Sequence, residues 1–256
     1  MSRRDFVLLV CAFSLLLVVA RSSAIDFTRT EIPGTGVTLN LPTDWVPIPS
    51  EVIQRYTDDG ARSSANPPEI RATANYVYGA QRKAENYFEY PYLLVQILNT
   101  GRISEAQLDA FRKALATGEK EAEGSFPNIF LGSKFAPIYD PTTKRFWAEF
   151  SGTVAGLGSM HSLSTIILTE TGFVTINMYC KEGDFTSLAP LFREIGTNVE
   201  LSSSIAYEPR STDDPTITSI VNAAQGINWS KVITYAVIGV IVAWIGNVIR
   251  GKKGPK

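Results

Sequence analysis

One stretch constrains this chain more than any other. Residues 232–249 form an apolar run without a single charge. At ~1.5 Å per residue, eighteen helical residues reach roughly 27 Å, enough for a hydrocarbon core. Trp229 and Tyr235 lie near one end and Trp244 near the other, where interfacial aromatics belong. Arg250, Lys252, Lys253 and Lys256 follow at once. A basic cluster on one flank predicts a span whose C-terminal end faces the cytoplasm. A buried core helix would show a polar face, and this run has none. Ala236, Gly239, Ala243 and Gly246 recur at spacings of 3, 4 and 3. That small-residue face permits weak self-association in lipid.

The opposite end reads as an export signal over residues 1–24. Arg3 and Arg4 precede an apolar stretch from Phe6 to Ala20, and Ser22 and Ala24 stand at the −3 and −1 positions of a cleavage site. Arg3-Arg4 also fits a twin-arginine signal, and the Leu-rich stretch fits the ordinary secretory route equally. Both ends therefore predict an N-terminal domain outside the cytoplasm and a cytoplasmic C-terminus. The segments 1–24 and 231–256 carry +2 and +5 of a total of −1, which leaves −8 on residues 25–230. An external domain this acidic disfavours nucleic acid as a partner. Cys11 falls in the signal, so Cys180 is the lone cysteine of the mature chain and no internal disulfide forms.

Between the ends, strand-like and helix-like stretches alternate. Residues 36–42 alternate with period two and stop at Pro42. Ser50 is placed to cap a short helix over 51–57, and 58–68 reads as a loop rich in Asp, Ser, Asn and Pro. Residues 70–81 predict a strand with Ala74, Tyr76 and Tyr78 on one face, and 92–98 a denser, central one. Ser104 to Gln107 form a capping box before a helix marked by Leu108, Phe111 and Leu115. Strands follow over 138–139, 144–154, 162–169 and 173–180, the last two joined by a turn at 170–172. Asp184 is placed to cap a final helix carrying Leu188, Leu191, Phe192 and Ile195, with Pro190 in its middle or near its first turn. Short turns between consecutive strands predict an α+β domain over 25–201, an antiparallel sheet with helices packed on its faces. Residues 202–231 show little apolar pattern and read as a stalk.

The strand that ends in Leu41-Pro42-Thr43-Asp44-Trp45, and the closing hairpin that runs straight into an amphipathic helix (173–195), resemble the α/β/α sandwich of the photosystem II extrinsic subunit P superfamily. That superfamily also holds periplasmic DcrB-like proteins. The resemblance covers about residues 30–200. It implies an accessory domain without catalysis of its own. A C-terminal anchor departs from its usual pattern.

Chemistry-bearing motifs are few. A single histidine, His161, excludes multi-histidine zinc sites. No phosphate-binding loop and no Gly-x-Ser-x-Gly elbow occurs. Gly156 to His161 places Ser159 two residues from His161, so a strand there would set both on one face. Hydrolysis would also need an orienting carboxylate and an oxyanion hole. A Gly-rich turn leading into a strand accounts for the same residues. Lys181 beside Cys180 would lower the thiol's pKa, whereas a thiol buried in a strand would be inert. The aromatic residues Tyr76, Tyr78, Tyr87, Phe88, Tyr90 and Tyr92 fit a sheet core or a partner surface. These residues assign no catalytic, cofactor or metal site. They favour a membrane-tethered, non-enzymatic accessory or interaction domain with a protein partner at the membrane. A membrane-anchored hydrolase or redox enzyme using Ser159 and His161, or Cys180, is the rival.

Overall fold

Among the described residues, the strands divide between two sheets. The computed structural model describes residues 25–63, 76–99, 101–104, 131–140, 142–143, 145–154, 158–208 and 210. In chain order the elements are β1 (Phe27–Ile32), β2 (Val37–Pro42), β3 (Trp45–Pro47), α1 (Ser50–Ser63), β4 (Tyr76–Arg82) and β5 (Tyr92–Leu98). Then come β6 (Leu131–Asp140), β7 (Arg145–Val154), β8 (Gly158–Thr169), β9 (Gly172–Lys181), a 3-10 turn (Glu182–Asp184), α2 (Phe185–Thr197) and β10 (Glu200–Leu201). Seven strands form one antiparallel sheet in the order β3-β4-β5-β9-β8-β7-β6, and three form another in the order β1-β2-β10. This is the α+β class expected, with a small second sheet that the pattern did not announce.

Several expected features lie outside the described residues: the signal over 1–24, the start of the strand over 70–81 with Ala74, the helix after Ser104, most of the stalk, the span over 232–249 with its small-residue face, and the basic tail. Among the described residues, no helix is long and apolar enough to cross a membrane. The first residues of the expected stalk are bound to the domain. Ser202 N–H donates to the Gly36 carbonyl at 2.8 Å, and Glu170 N–H donates to the Ile205 carbonyl at 3.1 Å.

The core lies between one face of the large sheet and a cover made of α2 and β2. Leu93, Val95, Leu163, Val174, Ile176 and Met178 meet Leu191, Phe192 and Ile195 from α2 and Leu39 and Leu41 from β2. Each such side chain removed from water contributes ~1.5–3 kcal/mol. Gly196 lets α2 lie directly on the sheet. A β-carbon there would fall 2.6 Å from the Trp147 ring and 3.0 Å from Thr165 Cγ2. Arg145, from β7, closes this same C-terminal end of the helix by donating to the Gly196, Thr197 and Val199 carbonyls. A cation there satisfies carbonyls that helix geometry leaves unbonded.

Three local expectations are corrected. α1 continues to Ser63 through residues read as loop, because weak helix formers are carried by the hydrogen-bonded turn before them. Tyr76 and Tyr78 do not share a face. The register steps from Tyr76↔Gln96 to Tyr78↔Val95, so a bulge at Val77 turns Tyr78 onto the core side. Asp184 precedes α2 but makes no capping bond with its side chain, since the 3-10 turn leaves it at φ −95°, ψ −11° rather than extended. Pro190 sits inside α2, which begins at Phe185.

Candidate functional site

Strands β7, β8 and β9 bring the three suspected reactive residues to one end of the large sheet. Ser151, His161 and Cys180 are cross-strand neighbours, and Thr153 faces Ser159. β8 begins at Gly158, so Ser159 and His161 belong to the strand rather than to a turn before it. Gly156 and Leu157 lie outside the described residues.

His161 is buried and held on every side. Its Nδ1 lies 3.1 Å from Glu182 Oε2 and its Nε2 lies 3.1 Å from Glu149 Oε1. Phe185, the first residue of α2, stacks on the ring with centroids 3.4 Å apart and planes 8° from parallel. Each ring nitrogen thus faces a carboxylate oxygen. Neither nitrogen is directed at Ser159, whose hydroxyl is 3.0 Å from Thr153 Oγ1. The strand therefore puts Ser159 and His161 on one face as expected, but the histidine's bonds go elsewhere and the pair does not form a nucleophile and base.

Cys180 is wholly buried. Its thiol is 3.7 Å from the His161 carbonyl, to which it donates. Burial pushes the thiol up to about 12, and the carboxylates of Asp184 and Glu182 push in the same direction. The lowering expected from Lys181 does not occur. Alternation along β9 leaves Lys181 exposed while Cys180 faces the core. A protonated, inaccessible thiol is neither a nucleophile nor a metal ligand.

Nothing in the sequence singles out Glu149 and Glu182 as the residues that fix His161. They stand 12 and 21 positions away, and only the β7–β8 register and the turn after β9 bring them in. Among the described residues, no group of three or more His, Cys, Asp or Glu is placed to hold a metal ion.

No family model matches the sequence, and no curated protein does. Solved structures do resemble it. One is cyanobacterial PsbP from Synechocystis sp. PCC 6803, at TM-score 0.42 and 11% identity over 71% of this chain and 96% of that one. Another is LpqN of Mycobacterium tuberculosis, involved in cell envelope biogenesis, at TM-score 0.36 and 12% identity over 71% of this chain and 94% of that one. The subunit P-like resemblance read from the sequence is thus met again among solved structures. Scores this low bring no function with them.

Proposed function

We propose that this chain is a membrane-tethered, non-enzymatic accessory or interaction domain exposed outside the cytoplasm. The observation that carries this reading is the engagement of His161 by Glu149 and Glu182, which leaves Ser159 without a base. Burial of the Cys180 thiol supports it from the redox side. The tether rests on the apolar run over 232–249 and the basic residues after it. Tethering raises local concentration at the membrane, so modest contacts with a partner suffice.

The test uses the full-length chain in cells that lack their own copy. Ser159→Ala and Cys180→Ala are introduced one at a time, and folding is checked by near-ultraviolet circular dichroism. Both variants are expected to restore the phenotype fully. Loss of the phenotype in a folded variant would favour the enzyme reading.

A further inference from the structure

The loop joining β4 to β5, residues 83–91, is held in a costly conformation by a buried side chain. Phe88 has φ +63°, a left-handed backbone that bulky residues rarely adopt. Gln81, 1% exposed, grips the loop with both ends of its amide. Its Nε2 donates to the Asn86 carbonyl at 2.7 Å, and its Oε1 accepts from Phe88 N–H at 2.6 Å. Aromatic stacking continues the support. Phe88 meets Tyr92 edge-on at 5.7 Å, Tyr90 stacks on Tyr92 at 5.5 Å, and Tyr92 stacks on Tyr179 at 4.9 Å.

This scaffold leaves one large side chain outside. Tyr87 is 51% exposed at the tip, between the two residues that Gln81 grips. Strain held by surrounding structure is concentrated at recognition sites, and a rigid aromatic side chain loses little entropy on contact. The charges nearby are mixed, with acids in the majority. Glu85 and Glu89 flank Tyr87 on the loop and are exposed. The pairing of Tyr92 with Tyr179 puts the loop at the same sheet end as Asp184 and Glu182, both exposed, the second with one carboxylate oxygen on His161. Arg82 and Lys83 at the foot of the loop and Lys181 on β9 are cations, and Arg82 is paired with Asp44 at 3.1 Å.

We propose that this loop is a docking surface for an arginine- or lysine-bearing segment of a partner protein. A cation lies over the Tyr87 ring while neighbouring cations meet Glu85 and the acidic sheet end. The net charge of −8 on residues 25–230 steers the same class of partner. The proposal rests on the interaction-domain reading and names the chemistry of the partner.

The test measures binding of a fluorescein-labelled peptide of alternating arginine and glycine to the full-length protein in detergent, by anisotropy. The wild type is expected to bind, more weakly as salt rises. Tyr87→Ala is expected to weaken binding about fivefold. Glu85→Lys is expected to weaken it about tenfold. Glu31→Lys, on β1 of the other sheet, is expected to leave it unchanged. Thermal melts of the variants, all altered at exposed positions, check that each is folded. No binding by the wild type overturns the proposal. So does a Tyr87→Ala affinity equal to wild type, or a loss in Glu31→Lys as large as in Glu85→Lys. Such a failure, with Ser159→Ala and Cys180→Ala still supporting the phenotype, removes this surface and leaves the interaction-domain reading standing.

Discussion

Gly196 lies so close to the Trp147 ring that a β-carbon would meet it at 2.6 Å. The contact joins α2 to β7 where backbone and indole touch. Gly196→Ala therefore forces apart two packed elements that bury Leu191, Phe192 and Ile195. The expected loss of stability is ~1–3 kcal/mol. Urea unfolding followed by tryptophan fluorescence measures it. The usual gain from replacing a helical glycine, at most ~1 kcal/mol, does not offset a clash of this size.

His161 joins β8 to β7 and to the entry of α2 through Glu149, Glu182 and Phe185. His161→Ala removes the stacked ring and its contacts with two carboxylates. A loss of ~2–3 kcal/mol follows from the missing hydrogen bonding and the space left behind. Glu149→Gln keeps an acceptor and is expected to lose less. Chemical denaturation at neutral pH distinguishes the two.

Glu170, at the tip of the β8–β9 hairpin, predicts an acid dependence. Its carboxylate accepts from Glu208 N–H at 2.9 Å and pairs with Arg102 at 3.2 Å and with Arg210. The Glu208 backbone bond, followed by Arg102, holds its pKa below the ordinary glutamate value. A lowered folded value means that the stabilisation is complete above the unfolded pKa of about 4.3. It disappears as the pH falls through the folded value. Wild type and Glu170→Gln should therefore differ in urea midpoint at pH 7, and the gap should close below about pH 4. A gap that widened on acidification would contradict this assignment.

Cys180 predicts a protected thiol. With the pKa pushed up to about 12 and the side chain buried, alkylation requires the protein to open. Iodoacetamide at pH 8 should modify the folded chain slowly and the urea-unfolded chain fast.

Much of the sheet was legible because its signals are local. The 92–98 run and the 170–172 turn appear in the structure as β5 and the β8–β9 hairpin, since apolar alternation and turn residues act over a few positions. The final helix was legible from Leu191, Phe192 and Ile195 for the same reason. The small sheet was not. β10 is two residues long and pairs with β2 across more than 150 positions, with no pattern of its own. The bulge at Val77 reverses the face of Tyr78 and follows from packing rather than from alternation. At the candidate site, Ser159, His161 and Cys180 were singled out by residue type, and the partners that decide their roles came from other strands. Gln81 reads in sequence as one more strand position. Its grip on Phe88 depends on the path of the loop.

The proposed membrane attachment of the domain is the claim to test most directly. Membranes carrying the full-length chain are washed with alkaline carbonate, beside a variant that lacks residues 232–249. Retention of the full-length chain in the pellet and release of the variant is the expected result. Release of the full-length chain by the wash would contradict the account.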